Sequence, residues 1–249
     1  MPRVVAAETL DRLAEGDPAA MRSRRDLQRV HRAMGTRGIV VRALQALTAS
    51  RPALAPLRLL ELGAGDGSLM LGVAHALKDH WPAVEITLLD RQNLVSCPTL
   101  ARYASLGWQA TPQVMDVFDW AASHEPARPD TFARWDVIVA NLFLHHFEGL
   151  QLGTLLAAIE SRSGRFFACE PRRAHLALAG SHLIGAMGAN AVTREDAVLS
   201  VHAGFRDREI SALWPGSQSG WTLGEYSAGL FSHCFCAKRS DLEEAATPS

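Results

Sequence analysis

The sequence predicts an α/β domain on a mostly parallel sheet, and three observations carry that expectation. Short apolar runs recur from Leu57 to Pro171, each bounded by turn residues and too short for an independent helix. Stretches of helical period separate them, such as Leu69, Val73, Ala74 and Leu77, or Leu152, Leu155, Leu156 and Ile159. Polar residues (Glu61, Asp90, Asn141, Glu170) end four of the runs, and ligands bind at strand carboxyl ends in open α/β sheets.

Residues 1–50 precede the first strand. Ala6 to Ala14 and Met21 to Leu47 carry helical patterns, separated at Gly16-Asp17-Pro18, and Gly35-Thr36-Arg37-Gly38 splits the second into two helices. Seven arginines (Arg22, Arg24, Arg25, Arg29, Arg32, Arg37, Arg42) make this stretch basic. They fit either a solvated helix face or a lid that meets an acidic substrate or a membrane surface. Arg51 to Pro56 is a linker.

Leu57 to Leu62 is the first strand, and helical period resumes at Leu69. Between them stands Glu61-Leu-Gly63-Ala64-Gly65-Asp-Gly67, whose glycines allow positive φ and close approach of a ligand to the backbone. The helix beyond offers unpaired N–H groups and a positive dipole end. Pro82 stops that unit, and Val84 to Asp90 forms the second strand. One βαβ unit separates Gly67 from Asp90, whose two oxygens can accept both hydroxyls of a ribose.

Pro98 to Leu106 reads as a short helix, and a third strand precedes Met115-Asp116-Val117-Phe118-Asp119. Ser123 to Arg134 is a surface loop. Trp135 to Asn141 is the fourth strand, and Arg165 to Pro171 the fifth. Glu170 at its end is placed either toward a pocket or against Arg172 or Arg173. Ala174 to Asn190 is an apolar, glycine-interrupted segment (Leu183, Ile184, Met187), either a pocket wall suited to an aromatic or acyl ligand or plain core packing. Thr193 is the expected cap of the next helix, with Val198, Val201 and Phe205 inward. Glu209 to Trp214, Trp221 to Glu225 and Leu230 to Lys238 are the closing strands, the last two a hairpin across Tyr226-Ser227-Ala228-Gly229. The polar tail after Ser240 is expected to be disordered.

A length of 249 residues with 48% hydrophobic content suits one large domain. The net charge of −1 supplies no global field for nucleic acid. Cys97, Cys169, Cys234 and Cys236 lack metal-ligand spacing, so free thiols and no metal are expected. The opening Met1-Pro2-Arg3-Val4 has no signal-peptide core, and no run reaches the roughly 18 apolar residues of a bilayer span. A cytoplasmic location is the resulting expectation.

The Glu61-to-Gly67 pattern resembles motif I of the class I S-adenosylmethionine (SAM) dependent methyltransferases. A dinucleotide fingerprint would need its third glycine where Ser68 stands, and Glu61 suits a cationic group better than a pyrophosphate. The strand-four region, an Asp-aliphatic run with Asn141 and then Leu142-Phe143-Leu144-His145-His146, resembles the small-molecule branch typified by quinone-biosynthesis methyltransferases. It lacks the Asn/Asp-Pro-Pro-aromatic tetrad of enzymes that methylate nucleic-acid bases. The arginine-rich opening is similar to small methyltransferases accompanying bacterial type III polyketide synthases.

The resemblance spans about residues 55–240 and implies a Rossmann-like SAM-methyltransferase sheet with an antiparallel C-terminal hairpin. The implied organisation is an N-terminal helical cap (1–50), a methyltransferase domain (51–240) and a tail (241–249). Glu61 would face the methionine amino group, with Gly63, Ala64, Gly65 and Gly67 shaping the cleft. Asp90, with Arg91 beside it, would hold the ribose. Asp116 (or Asp119) and Val117 would hold the adenine, and Asn141 and Leu142 would close on the methionine. His31 and Met34 are placed at a substrate cover, and His182 in the wall segment. His146, or His145, is the candidate base, packing or capping being its alternative. The implied reaction is O-methylation of a phenolic or polyketide-type small molecule, with C-methylation of a quinone-like ring next to it. A NAD(P)-linked oxidoreductase and a non-catalytic SAM-binding protein are the readings from other classes. A peripheral membrane contact follows only for a lipid acceptor, and the oligomeric state stays open.

Overall fold

The computed structural model describes residues 1–49, 56–81, 83–123, 134–215 and 220–240, with the backbone alone at Met187. Residues 51–55 of the expected linker, the Pro82 stop, most of the expected 123–134 loop and the tail lie outside these residues.

Seven strands form one sheet: β1 (Leu57–Leu62), β2 (Val84–Asp90), β3 (Trp108–Val114), β4 (Val137–Asn141), β5 (Arg165–Pro171), β6 (Trp221–Ala228) and β7 (Ser232–Arg239). Their order is β3-β2-β1-β4-β5-β7-β6. The first five run parallel and β7 pairs antiparallel to β5 and β6. Every residue of β4 and β5 is buried, as the apolar runs Val137–Ala140 and Phe166–Cys169 demand of strands covered on both faces. The strand order reverses between β1 and β4, which opens a crevice over their carboxyl ends.

Before the sheet come α1 (Pro18–Met34) and α2 (Thr36–Thr48). Asp17 caps α1 by accepting the Ala19 N–H at 2.6 Å, Pro18 supplies its first turn, and Gly35 ends it at φ 67°. α2 buries Val40 and Leu44 completely against the sheet, about 1.5–3 kcal/mol for each such side chain. The remaining helices are α3 (Ser68–Leu77), α4 (Cys97–Ser105), α5 (Val117–Ala122), α6 (Gly149–Arg162), α7 (His175–Leu183), α8 (Ala191–Ala203) and α9 (Glu209–Leu213). One core packs α2 and α3 on one face of the sheet, and a second packs α6 and the Trp214–Phe166 stack on the other. Among the described residues no helix is long and apolar enough to cross a membrane. All four cysteines are free, Cys97 exposed and Cys169 and Cys234 buried.

Four expectations need correction. Residues 6–14 are not a helix: they run as a strap with a single 3₁₀ turn (Leu10–Arg12), because Asp196 takes the Thr9 and Leu10 N–H groups at 2.8 and 2.9 Å. Glu209 to Leu213 is helical rather than a strand, since the Glu225 carboxylate on β6 accepts the Ile210 and Ser211 N–H groups at 3.0 and 2.8 Å. Asn190, not Thr193, caps α8, accepting the Thr193 N–H at 2.8 Å. The hairpin turns later than expected: β6 continues to Ala228, and Gly229 with φ 70° starts the reversal.

Candidate active site

A cavity of about 490 Å³ lies over the carboxyl ends of β1, β2 and β4. Its floor is the turn after β1. Gly63, Gly65 and Gly67 all hold positive φ (69°, 56° and 72°), so the chain reverses there without the Cβ clash that other residues meet. A Cβ at Gly63 would overlap the Phe143 ring, whereas one at Gly65 would meet nothing and project into open space. Gly67 does not line the cavity: it packs on Leu88, and its carbonyl accepts the Tyr103 hydroxyl at 2.7 Å. It supports the turn from behind.

Glu61 is 2% exposed, and its Oε2 is shielded from water with no hydrogen-bond partner. Burial, reinforced by the charges of Asp66 and Asp90, pushes its carboxyl well above the ordinary carboxylate range. A buried acceptor in this state lacks a donor, and a cationic group entering the cavity would satisfy it. The buried Asn141 Oδ1 is likewise without a partner on the same rim. The next residue, Leu142, is held at φ 49°, a backbone state uncommon outside glycine that is found at ligand-binding turns.

At the end of β2, Asp90 is fixed by two backbone donors, the Gly65 N–H to Oδ2 at 2.8 Å and the Gln92 N–H to Oδ1 at 2.9 Å. Each oxygen keeps a second lone pair for a ligand hydroxyl. Asp116 and Val117 line the cavity's far side, and Asp116 also caps α5 through the Phe118 N–H at 2.7 Å. Asp119 stands one turn away and does not line it. Arg91 is on the rim but is tied to the strap, donating to the Asp11 carbonyl and lying 3.3 Å from Asp11 Oδ1.

The two histidines after β4 differ sharply. His145 is buried with both nitrogens engaged, Nδ1 with Glu170 Oε2 at 2.9 Å and Nε2 with Glu8 Oε1 at 3.3 Å. Burial opposes its charge, but the two carboxylates prevail and raise its pKa to about 9. His145 is therefore a charged clamp, and its candidacy as a base is corrected. Glu170 meets neither Arg172 nor Arg173. Its oxygens accept the Phe143, Leu144 and His145 N–H groups at 3.0–3.3 Å and hold the turn after β4 in shape.

His146 stacks on His145 with ring centres 4.2 Å apart, and its Nδ1 lies 3.4 Å from Asp11 Oδ2. Burial, followed by the neighbouring His145 charge, lowers its pKa, although Glu8 and Asp11 pull the other way. One imidazole is thus held charged and the next held neutral, both on the cavity wall.

The strap forms the cavity's roof. Val4 donates its N–H to the His202 carbonyl at 3.1 Å, Arg3 donates to the Ala203 and Phe147 carbonyls, and Glu8 accepts the Ser200 hydroxyl. His31 on α1 closes one end of the cavity. Met34 lines the adjoining groove rather than the cavity, and His182 lines neither and is exposed. Sequence reasoning missed Glu8, Asp11, Gln28 and Ser200 on the cavity wall. The Glu8–Asp11 pair stood in view, but a helical reading of residues 6–14 gave those carboxylates no target.

No protein-family model matches the chain, and no curated protein matches it. Solved structures do. The plantazolicin methyltransferase BamL, crystallised with a triazolic desmethylPZN analogue and SAH, is 13% identical with a TM-score of 0.60, over 92% of this chain and 93% of that one. BpumL, a second plantazolicin methyltransferase with SAH, is 13% identical at a TM-score of 0.58, over 90% and 91%. An O-methyltransferase assigned in Nostoc punctiforme is 13% identical at 0.55, over 95% of this chain and 64% of that one. The chain has the fold of class I SAM-dependent methyltransferases.

Proposed function

We propose that this chain transfers a methyl group from SAM to a small acceptor with a largely apolar body, and that the methylated atom is a phenolic oxygen. The observation that carries the cofactor is Glu61: a buried carboxyl with an orphaned oxygen, at the end of the first parallel strand and against a left-handed glycine turn. An α-ammonium group supplies the donor that Glu61 lacks. The residues present fit the rest of the molecule as well. Gly65 leaves the floor open, Asp90 offers two positioned acceptors for a ribose diol, and Asp116 and Val117 flank the place for adenine. When bound, SAM supplies an electrophilic methyl on a sulfonium.

The chain's own contribution is alignment and a proton acceptor. Aligning two reactants in one cavity is worth up to roughly 7–11 kcal/mol in well-oriented systems. A phenol, with a pKa near 10, also has to lose its proton. His146 is the base in this reading. Asp11 beside Nδ1 favours the tautomer with hydrogen there, which leaves Nε2 as the acceptor, and burial together with the His145 charge keeps the ring neutral. Glu170 and Glu8 act through His145 by holding that charge in place. The strap that carries Glu8 and Asp11 also covers that side of the cavity. Residues 1–50 serve here as the cap of the methyltransferase domain that follows.

Calorimetry with SAM, SAH and NADPH tests the cofactor, and a screen of phenols with methyl-labelled SAM tests the acceptor. Micromolar binding of SAM with none of NADPH is expected. Binding of NADPH alone would overturn the assignment, and labelled products methylated only on carbon would overturn the phenolic oxygen.

A further inference from the structure

Beside the cofactor cavity runs a second, larger depression of about 1140 Å³, bounded by α1, α2, α3, the end of α4 and the turn after β6. The two share Gln28, His31, Ser68 and Leu69 as a common wall. Their charge is opposite. Six acidic side chains line the cofactor cavity, from Glu8 to Asp116, and outnumber its two arginines, Arg24 and Arg91, and the charged His145. Four arginines and two histidines line the groove, with no carboxylate among its described residues. In a chain whose acids and bases nearly balance, that separation is a feature of the fold.

The guanidinium groups of Arg32, Arg37, Arg42 and Arg102 make no hydrogen bond or ion pair among the described residues, in contrast to those of Arg24, Arg91 and Arg173 elsewhere. Two glycines make room for them: Arg37 lies across Gly72 of α3, where a Cβ would come within 3.0 Å of its Cδ, and Arg42 lies beside Gly38. The groove's floor is apolar, with Met34, Ile39, Leu71 and Leu106. At the shared wall His31 Nε2 is shielded from water and partnerless, so a polar atom waits where groove and cavity meet.

We propose that this groove binds the acidic end of the acceptor, a carboxylate or phosphate on an extended apolar body whose other end reaches the cofactor cavity past His31. The inference rests on the methyltransferase reading and narrows its acceptor to an anionic amphiphile. Guanidinium forks match the planar, multidentate geometry of carboxylate and phosphate oxygens. The apolar floor takes the chain between the charged end and the ring, and the volume exceeds what a compact phenol fills.

The test uses the full chain and phenols bearing a straight alkyl chain that ends in a carboxylate, a phosphate monoester or a neutral carboxamide. Affinity is read by calorimetry without SAM, with inorganic phosphate as competitor, and kcat/KM is read with SAM. The two acids are expected to bind about tenfold or more tightly than the amide, the worth of a charge-assisted contact. In Arg37→Gln/Arg42→Gln that preference should collapse, while Arg37→Lys/Arg42→Lys keeps part of it. SAM calorimetry on each variant reports an intact fold and keeps failure of the cofactor assignment separate from failure of the groove. Equal affinity for acid and amide, or a preference unchanged in the Gln variant, would overturn the proposal. So would Arg-dependent binding to anionic lipid vesicles with no affinity for the acidic phenols.

Discussion

Glu61→Gln separates cofactor binding from stability at a single atom pair. The wild-type carboxyl is buried, its Oε2 has no donor, and burial with Asp66 and Asp90 raises its pKa. An acid whose folded pKa lies above its unfolded value near 4.5 stabilises the fold fully below that value. The contribution is lost as pH rises through the folded pKa, so at pH 7 in the absence of SAM this group weakens the protein. The amide cannot ionise and keeps the shape. Thermal unfolding of the ligand-free variant at pH 7 should therefore occur at or above the wild-type temperature. Binding should move the opposite way. Losing one charge-assisted hydrogen bond costs about 1.5–3 kcal/mol, which weakens SAM roughly 10- to 150-fold. Wild-type SAM affinity in Glu61→Gln would refute the assignment of Glu61.

The proton acceptor has its own signature. His146→Gln should lower kcat by about 10²–10⁴-fold while SAM affinity holds, and the acidic limb of wild-type kcat/KM should fall below pH 6.5, where the lowered pKa puts it. Unchanged turnover would remove His146 from the chemistry. The His145 clamp predicts a stability profile: with its folded pKa raised to about 9, its contribution is complete below pH 6.5 and lost as pH rises through 9. Unfolding free energies from urea titrations of wild type, but not of His145→Asn, should fall across that window by an amount on the order of 3 kcal/mol. Two glycine substitutions should part company. Gly63→Ala, which drives a methyl into Phe143 at positive φ, should cost about 1–3 kcal/mol of stability, whereas Gly65→Ala should cost about 1 kcal/mol and act chiefly on SAM affinity. Reversed ranks in unfolding and binding would contradict the assigned roles.

Where the governing interactions are local in sequence, the chain alone determined the result. The five parallel strands, the helices between them and the acids on their carboxyl rims follow from hydrophobic period and turn chemistry, and β1 and β2 stand where Leu57–Leu62 and Val84–Asp90 placed them. The fold class, the glycine turn, Glu61 and Asp90 were legible because each sits within one βα unit. Tertiary contacts decided the rest. Asp196 pulled residues 6–14 out of helix, Glu225 pulled 209–213 into one, and Glu170 turned inward onto three backbone donors. Two adjacent histidines, indistinguishable as a dipeptide, received different charge states because carboxylates some 25 and 137 positions away hydrogen-bond both nitrogens of His145, while His146 is left with burial and the His145 charge against the more distant Asp11. A carboxylate distant in sequence carries no period and no spacing, so only the folded chain reveals which group it reaches.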